Sequence, residues 1–249
     1  MIQIYSAQEQ AGLRASAKVL ASVVNVLVNM VAPGVSLLQL EHKAAELIAQ
    51  AGAKPAFLGY HGYKNVLCTS VNQEVVHCPP TARVLVNGDI VSIDAGVIVA
   101  GMYSDCAVTV PVGEVSPEVK RLIDVTRTAL YEVAQSVIKP GNTIGDIGHA
   151  IQSYVEQQGF SIVRQLVGHG IGRHLHEEPS IPNYGAAHSG PTLKAGMAIA
   201  VEPMVNIGQA DVHFEDDGWR VVTNDGSLSA HFEHTFLITA TGCEVLTQL

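Results

Sequence analysis

Gly88-Asp89-Ile90-Val91-Ser92-Ile93-Asp94 is matched 108 residues later by Gly196-Met197-Ala198-Ile199-Ala200-Val201-Glu202. Each stretch opens on glycine, runs through apolar residues rich in Val and Ile, and ends on a carboxylate, the pattern of a buried strand carrying an acid. A carboxylate at the end of such a strand is costly unless something compensates its charge. Finding the same costly arrangement twice points to a duplicated plan.

Working outward, nearly the same offset holds through most of each half. At 107 residues, Pro33-Gly34-Val35-Ser36 falls on Pro140-Gly141-Asn142-Thr143, Arg14 on Arg121, His42 on His149 and Gly52 on Gly159. Leu37, Leu40 and Leu47 fall on Ile144, Ile147 and Tyr154, and at 108 residues His61 falls on His169. Each copy reads as a long helix (about residues 7–31 and 117–138), a Pro-Gly turn, and a second helix. Ser36 with Gln39 and Thr143 with Asp146 are N-terminal caps for the second helices, and Gly52 and Gly159 suit their C-terminal ends. Val- and Ile-rich strands fill the remainder. The fold class is α+β, a curved, mainly antiparallel sheet covered by two pseudo-symmetric pairs of helices. Residues 1–249 are expected to form one catalytic domain of two halves, about 1–112 and 113–249, with a site in the cleft between them.

Composition narrows the function. Apolar residues make up 47% of the 249, enough for a sizeable core, and charged residues only 15%, which excludes disorder and a coiled coil. The net charge of −9 repels phosphate backbones, so no direct nucleic-acid partner is expected. Cys68, Cys78, Cys106 and Cys243 show no C-x-x-C spacing and read as free thiols in a reducing compartment. The apolar run from Val19 to Val35 is broken by Asn25, Asn29 and Pro33 and is expected neither to span a bilayer nor to serve as a signal, since Ser6 and Glu9 form a capping box for an ordinary helix. A cytoplasmic protein without a membrane partner is expected.

The acids carry the chemistry. Asp94 and Asp105 lie on runs joined by a turn near Gly101, which sets them across a hairpin on one face. In the second half Glu202 ends its strand, and Glu233 lies in Ser229-Ala230-His231-Phe232-Glu233-His234-Thr235. His169 sits among glycines, with His176 seven residues on. Carboxylates so close in an apolar setting persist if a cation, or a shared proton, lies between them. Four carboxylates and an imidazole suit Mn, Fe, Co or Zn, and because carboxylates bridge, two ions fit better than one. Two such ions generate a hydroxide nucleophile at neutral pH, which describes a dinuclear hydrolase. His231 and His234 flank Glu233, and alternation is expected to turn both away from the ions, towards the surface or an outer layer.

Taken together, Ser92-Ile93-Asp94, Tyr103-Ser104-Asp105, Gly168-His169-Gly170-Ile171-Gly172-Arg173, His176-Glu177-Glu178-Pro179, Val201-Glu202-Pro203-Met204-Val205-Asn206 and Phe232-Glu233-His234-Thr235 resemble the type I methionine aminopeptidases. The resemblance covers nearly the whole chain and implies their pita-bread fold and their removal of initiator methionine from nascent polypeptides with a small second residue. By position it implies that Asp94 chelates one metal ion, that Asp105 and Glu233 bridge two, and that His169 and Glu202 complete the second. Glu202 is then the proton carrier, His176 the partner of the scissile carbonyl, and His77 a neighbour of the scissile nitrogen. Phe57, Tyr60, Tyr63, Cys68, Leu175 and Trp219 would line the methionine pocket, where apolar and aromatic surface suits a thioether. The implied cofactors are two divalent ions per chain, and the implied setting is a monomer acting on nascent chains at the ribosome.

Some positions depart from the family pattern. His77-Cys78-Pro79-Pro80 stands where the family has His-Gly-Ile-Pro, which stiffens the segment and could narrow the entrance, and His174 is an additional imidazole. Two rival readings remain open. A proline-directed relative shares the fold and ligands but usually carries an extra N-terminal domain. A catalytically inert binding module of the same fold would have lost ligands, and here all five positions are filled.

Overall fold

Local sequence sets the helices. In a computed structural model, which describes residues 1–248, α1 (Ala7–Met30) opens on a capping box. The Ser6 side chain accepts from the Glu9 N–H, and the Glu9 carboxylate accepts from the Ser6 N–H. α2 (Leu37–Gln50) opens on the same device made by Ser36 and Gln39, and the chain leaves it through Gly52 at φ +67°, a left-handed conformation that favours glycine. β1 (Lys54–Pro55), β2 (Leu67–Val71), β3 (Glu74–Val76), β4 (Ile90–Val99) and β5 (Met102–Pro111) follow.

In the second half α3 (Pro117–Thr128) passes through a π turn at Ala129–Ala134 into α4 (Gln135–Val137), so the expected helix is present with a wider last third. α5 (Ile144–Gln157) is capped by Thr143 and Asp146 as α2 is by Ser36 and Gln39. The strands β6 (Ser161–Ile162), β7 (Gly168–Gly170), β8 (Glu177–Ile181), β9 (Ala198–Val201), β10 (Met204–Asn206), β11 (Val212–Phe214), β12 (Val221–Thr223), β13 (Ser229–His231), β14 (Glu233–Ile238) and β15 (Cys243–Val245) complete the described chain.

The principal sheet is antiparallel, in the order β1-β4-β5-β14-β9-β7-β8, with β2 added on β4 and β15 on β14. One apolar cluster joins both halves beneath it, including Leu20 and Leu27 of α1, Leu40 of α2, Ile93 of β4, Ile151 of α5, Ile199 of β9 and Phe236 of β14. The repeat does not extend to every side chain. His61 lies exposed in a loop turn, whereas its counterpart His169 is buried on β7.

Register then decides which side chains share a face. Directly opposed residues point the same way, as do residues two apart on one strand. Ala107 of β5 is opposed by Asp94 on one side and Glu233 on the other, and Asp105 is two residues from Ala107. Ala200 of β9 is opposed by Thr235 and His169, Glu202 is two residues beyond Ala200, and Thr235 is two residues from Glu233. Counting by twos therefore puts Asp94, Asp105, Glu233, Glu202 and His169 on one face, supplied by five neighbouring strands in sheet order. The two alanines at the reference positions leave space above them.

Thr235 fixes the seam between the halves. Its hydroxyl accepts from the Asp105 N–H at 3.0 Å and donates to the Asp105 carbonyl at 2.9 Å, where β5 and β14 cease regular pairing.

α1 is long and apolar enough, by length and composition, to cross a membrane. In the fold Leu13, Ala17, Leu20, Val24 and Leu27 are buried and α1 lies across β4 and β5, the Ser16 hydroxyl donating to the Val97 carbonyl.

The seam yields a stability prediction. Thr235→Val leaves a buried N–H and C=O unpaired and should cost about 2–4 kcal/mol in urea unfolding, while Thr235→Ser should cost under about 1 kcal/mol. A valine variant within about 0.5 kcal/mol of the parent would show that the double bond to Asp105 is not structural.

Candidate metal centre

The five side chains on the common face converge. Asp94, Asp105, Glu202, Glu233 and His169 are all buried. His169 Nε2 lies 3.7 Å from a Glu202 oxygen, 3.9 Å from Glu233 and 4.0 Å from Asp105. Asp105, His169 and Glu233 offer ligand atoms all within 4.8 Å of one another.

Local backbone explains how His169 gets there. A Cβ on Gly168 would stand 2.3 Å from the Ala200 carbonyl oxygen, and one on Gly170 would stand 2.3 Å from that of Glu178. Glycine on both sides lets β7 lie close between β9 and β8, which presses the imidazole into the site. His169 Nδ1 is 2.9 Å from the Gly170 carbonyl. A carbonyl only accepts, so Nδ1 carries the proton and Nε2 turns its lone pair to the carboxylates.

Electrostatics are unfavourable for the protein alone. Burial pushes the Asp94 carboxyl up to about 7. Asp105 is pushed well above the usual range, first by burial and then by the charges of Glu233 and Asp94. Burial does the same to Glu202 and Glu233, each also repelled by its carboxylate neighbours. His169 is driven down to about 3, mainly by burial, so its imidazole is neutral. Asp94 Oδ1 and Glu233 Oε1 are buried with no hydrogen-bond partner. Oxygen donors in excess, one neutral imidazole and orphaned carboxylate oxygens fit a divalent cation of the Mn-to-Zn series.

The cluster forms the floor of a cavity of about 590 Å³, counting its open mouth. The wall comprises Phe57, Tyr60, Tyr63, Cys68, His77, Leu175, His176 and Trp219, so the structure brings every candidate residue of the sequence reading around one space. Phe57, Tyr63, Cys68 and Leu175 are buried, and Trp219 is half-buried, edge-on to Tyr63 at 4.8 Å. The Tyr63 hydroxyl donates to the Leu67 carbonyl at 2.8 Å, which holds the ring. His176 stands at the rim, its ring 4.2 Å from that of His169 and its Nδ1 2.6 Å from the Tyr60 hydroxyl. His77 has φ +60° and is pushed down to about 4 by burial, and then by the charge of His176. The Cys78-Pro79-Pro80 segment is tied to β2 by the Thr69 N–H donating to the Cys78 carbonyl at 2.8 Å, and His77 remains in the wall. His174 is exposed and its backbone N–H donates to Glu177, away from the cavity.

The expectation for the histidines beside Glu233 is overturned in part. His234, one residue on, does face away, with Nδ1 2.8 Å from the Thr247 hydroxyl and its ring edge-on to Tyr131. It is fully buried, not at the surface. His231 does not turn away. Two residues from Glu233 is the spacing that keeps a common side, and its Nε2 lies 3.7 Å from Glu202 Oε2. The sequence signal was that two-residue spacing. Thr235 was missed as well, because a hydroxyl bridging two strands leaves no pattern in a single sequence.

Residues 11–240 match metallopeptidase family M24. Methionine aminopeptidase 1 of Bacillus subtilis is 45% identical over 249 residues, all of both chains. The crystal structure of methionine aminopeptidase from Thermotoga maritima superposes with a TM-score of 0.98 at 46% identity, again covering all of both chains. Prolidase from Pyrococcus furiosus shares the fold alone, with a TM-score of 0.79 at 21% identity, covering 99% of this chain and 65% of that one. Sheet, buried ligand cluster and full-length similarity agree, and the chain belongs to metallopeptidase family M24, in its methionine aminopeptidase branch.

Proposed function

We propose that the protein hydrolyses the first peptide bond of nascent polypeptides that begin with methionine and carry a small second residue. The carrying observation is the join of a buried ligand floor to an apolar and aromatic wall within a single cavity. Residues 1–249 act as one catalytic domain, and the working form is a cytoplasmic monomer meeting chains at the ribosome, without direct contact to nucleic acid or membrane.

Asp94, Asp105 and Glu233 would hold one divalent ion, and Asp105, Glu233, Glu202 and His169 a second. Ions held there would supply Lewis acidity to the scissile carbonyl and would bring the pKa of a water into the neutral range. The chain's own groups do the rest. Glu202 accepts the proton of the attacking water and passes it to the departing amine. With the Tyr60 hydroxyl donating to Nδ1, His176 carries its proton on Nε2 and donates it to the carbonyl oxygen as negative charge develops there. His77, neutral and set in the wall, lies beside the scissile nitrogen. Phe57, Tyr63, Cys68 and Leu175 exclude water from the methionine side chain, and Trp219 covers it.

Glu202→Gln and Asp105→Asn should each lower kcat by at least about a thousandfold with the far-ultraviolet circular dichroism unchanged, and the parent should cleave Met-Ala-Ser but not Ala-Pro-Ala. Near-normal turnover in either variant, or preference for Ala-Pro-Ala, contradicts the assignment.

Metal-free protein adds a pH test. The Asp94 carboxyl rises from its ordinary 3.8 to about 7 in the fold, so its contribution to stability is full below about pH 4 and is lost as pH rises through 7. Metal-free Asp94→Asn should therefore gain melting temperature over the parent progressively between about pH 4 and 7, and saturating Mn should reverse the order at pH 7.5. Parallel melting curves across that range would contradict the burial argument.

A further inference from the structure

His231 is a residue that the assigned ligand set leaves unused. It ends β13, opposite Met204 of β10, and is 2% exposed. Its backbone is clamped from both sides by one hydroxyl. The His231 N–H donates to Thr109 Oγ1 at 2.8 Å, and Thr109 Oγ1 donates to the His231 carbonyl at 2.8 Å. This is the arrangement that Thr235 makes with Asp105, so the ring is carried on a backbone as firmly set as that of a proposed ligand.

The ring has nothing to bond to within the protein. Neither Nδ1 nor Nε2 has a hydrogen-bond partner among the described residues. Nε2 lies 3.7 Å from Glu202 Oε2, too long for an N–H···O bond. The other Glu202 oxygen, Oε1, lies 3.7 Å from His169 Nε2, so the carboxylate stands between two imidazoles, one facing each oxygen. Glu202, His231 and Glu233 offer ligand atoms all within 4.8 Å of one another. Two donors each about 2.1 Å from a shared ion stand roughly 3.0–4.2 Å apart, a range that includes the His231–Glu202 separation.

We propose that His231 is a further ligand of the metal centre, sharing an ion with Glu202 and Glu233. This rests on the reading of those two carboxylates as ligands. The consequence is a centre with two imidazoles, one from β7 and one from β13, instead of one. Added nitrogen favours Co, Fe and Zn over Mn and Mg, because imidazole binds the later divalent ions more strongly.

The test counts imidazoles directly. Metal-free protein is loaded with Co(II), and the strongly shifted, exchangeable imidazole N–H resonances of ligating histidines are recorded by proton NMR in water and in deuterium oxide. Two such resonances are expected in the parent and one in His231→Gln, with His231→Asn as a second variant and circular dichroism as the check on folding. Competition between Co(II) and Mn(II) should show the preference for Co(II) falling about tenfold in His231→Gln. One resonance in the parent, unchanged by His231→Gln, overturns the inference and leaves the reading of Glu202 and Glu233 standing. No shifted resonance at saturating Co(II) removes that reading and the inference together.

Discussion

Four carboxylates are held side by side, out of water, by a sheet that gives them no room to separate. Asp94, Asp105, Glu202 and Glu233 arrive on neighbouring strands whose pairing fixes their spacing, and burial removes the hydration that would otherwise screen them. Burial pushes every one of these carboxyls upward, reinforced at Asp105, Glu202 and Glu233 by the charges of their neighbours, so protons can relieve the strain. A divalent cation relieves it better, because it satisfies several oxygens at once. Much of the surrounding architecture serves to keep that crowding in place.

The supporting features are small and local. Ala107 and Ala200 are short side chains at the positions against which the ligands are registered, and larger ones would fill the space where the donors converge. Gly168 and Gly170 allow β7 to close on β9, and Thr235 and Thr109 each clamp a backbone where regular pairing stops. Core burial beneath the sheet, from Leu20 on α1 to Phe236 on β14, provides the rigidity that holds like charges at fixed distances. The wall of the cavity has the opposite character, apolar and aromatic, so one space holds both a charged floor and a dry pocket.

Much of this was legible in the residues. The caps at Ser36 and Thr143 and the glycines at 52 and 159 mark helix ends because they satisfy backbone groups that nothing else reaches. The four acids stood out because an acid on an apolar strand has an energetic cost, and the repeat related Asp94 to Glu202. What escaped were features that depend on partners far along the chain. The bond from Thr235 to Asp105 spans 130 residues, and the nearness of His231 to Glu202 depends on where β13 meets β10. His234 was placed on the correct side but taken as an outer residue, since its burial against Tyr131 and Thr247 is tertiary.

Metal binding at this site requires protonated carboxyls to give way to the ion, and proton release measures that exchange most directly. Metal-free protein titrated with Mn(II) at pH 7 by calorimetry, in buffers of differing ionisation enthalpy, yields the number of protons displaced per ion bound. At least about one proton should leave for each ion, and fewer as pH rises above the raised carboxyl range. Tight binding with no proton released at pH 7, or no binding at all, would contradict the claim that these buried acids are held together for a cation.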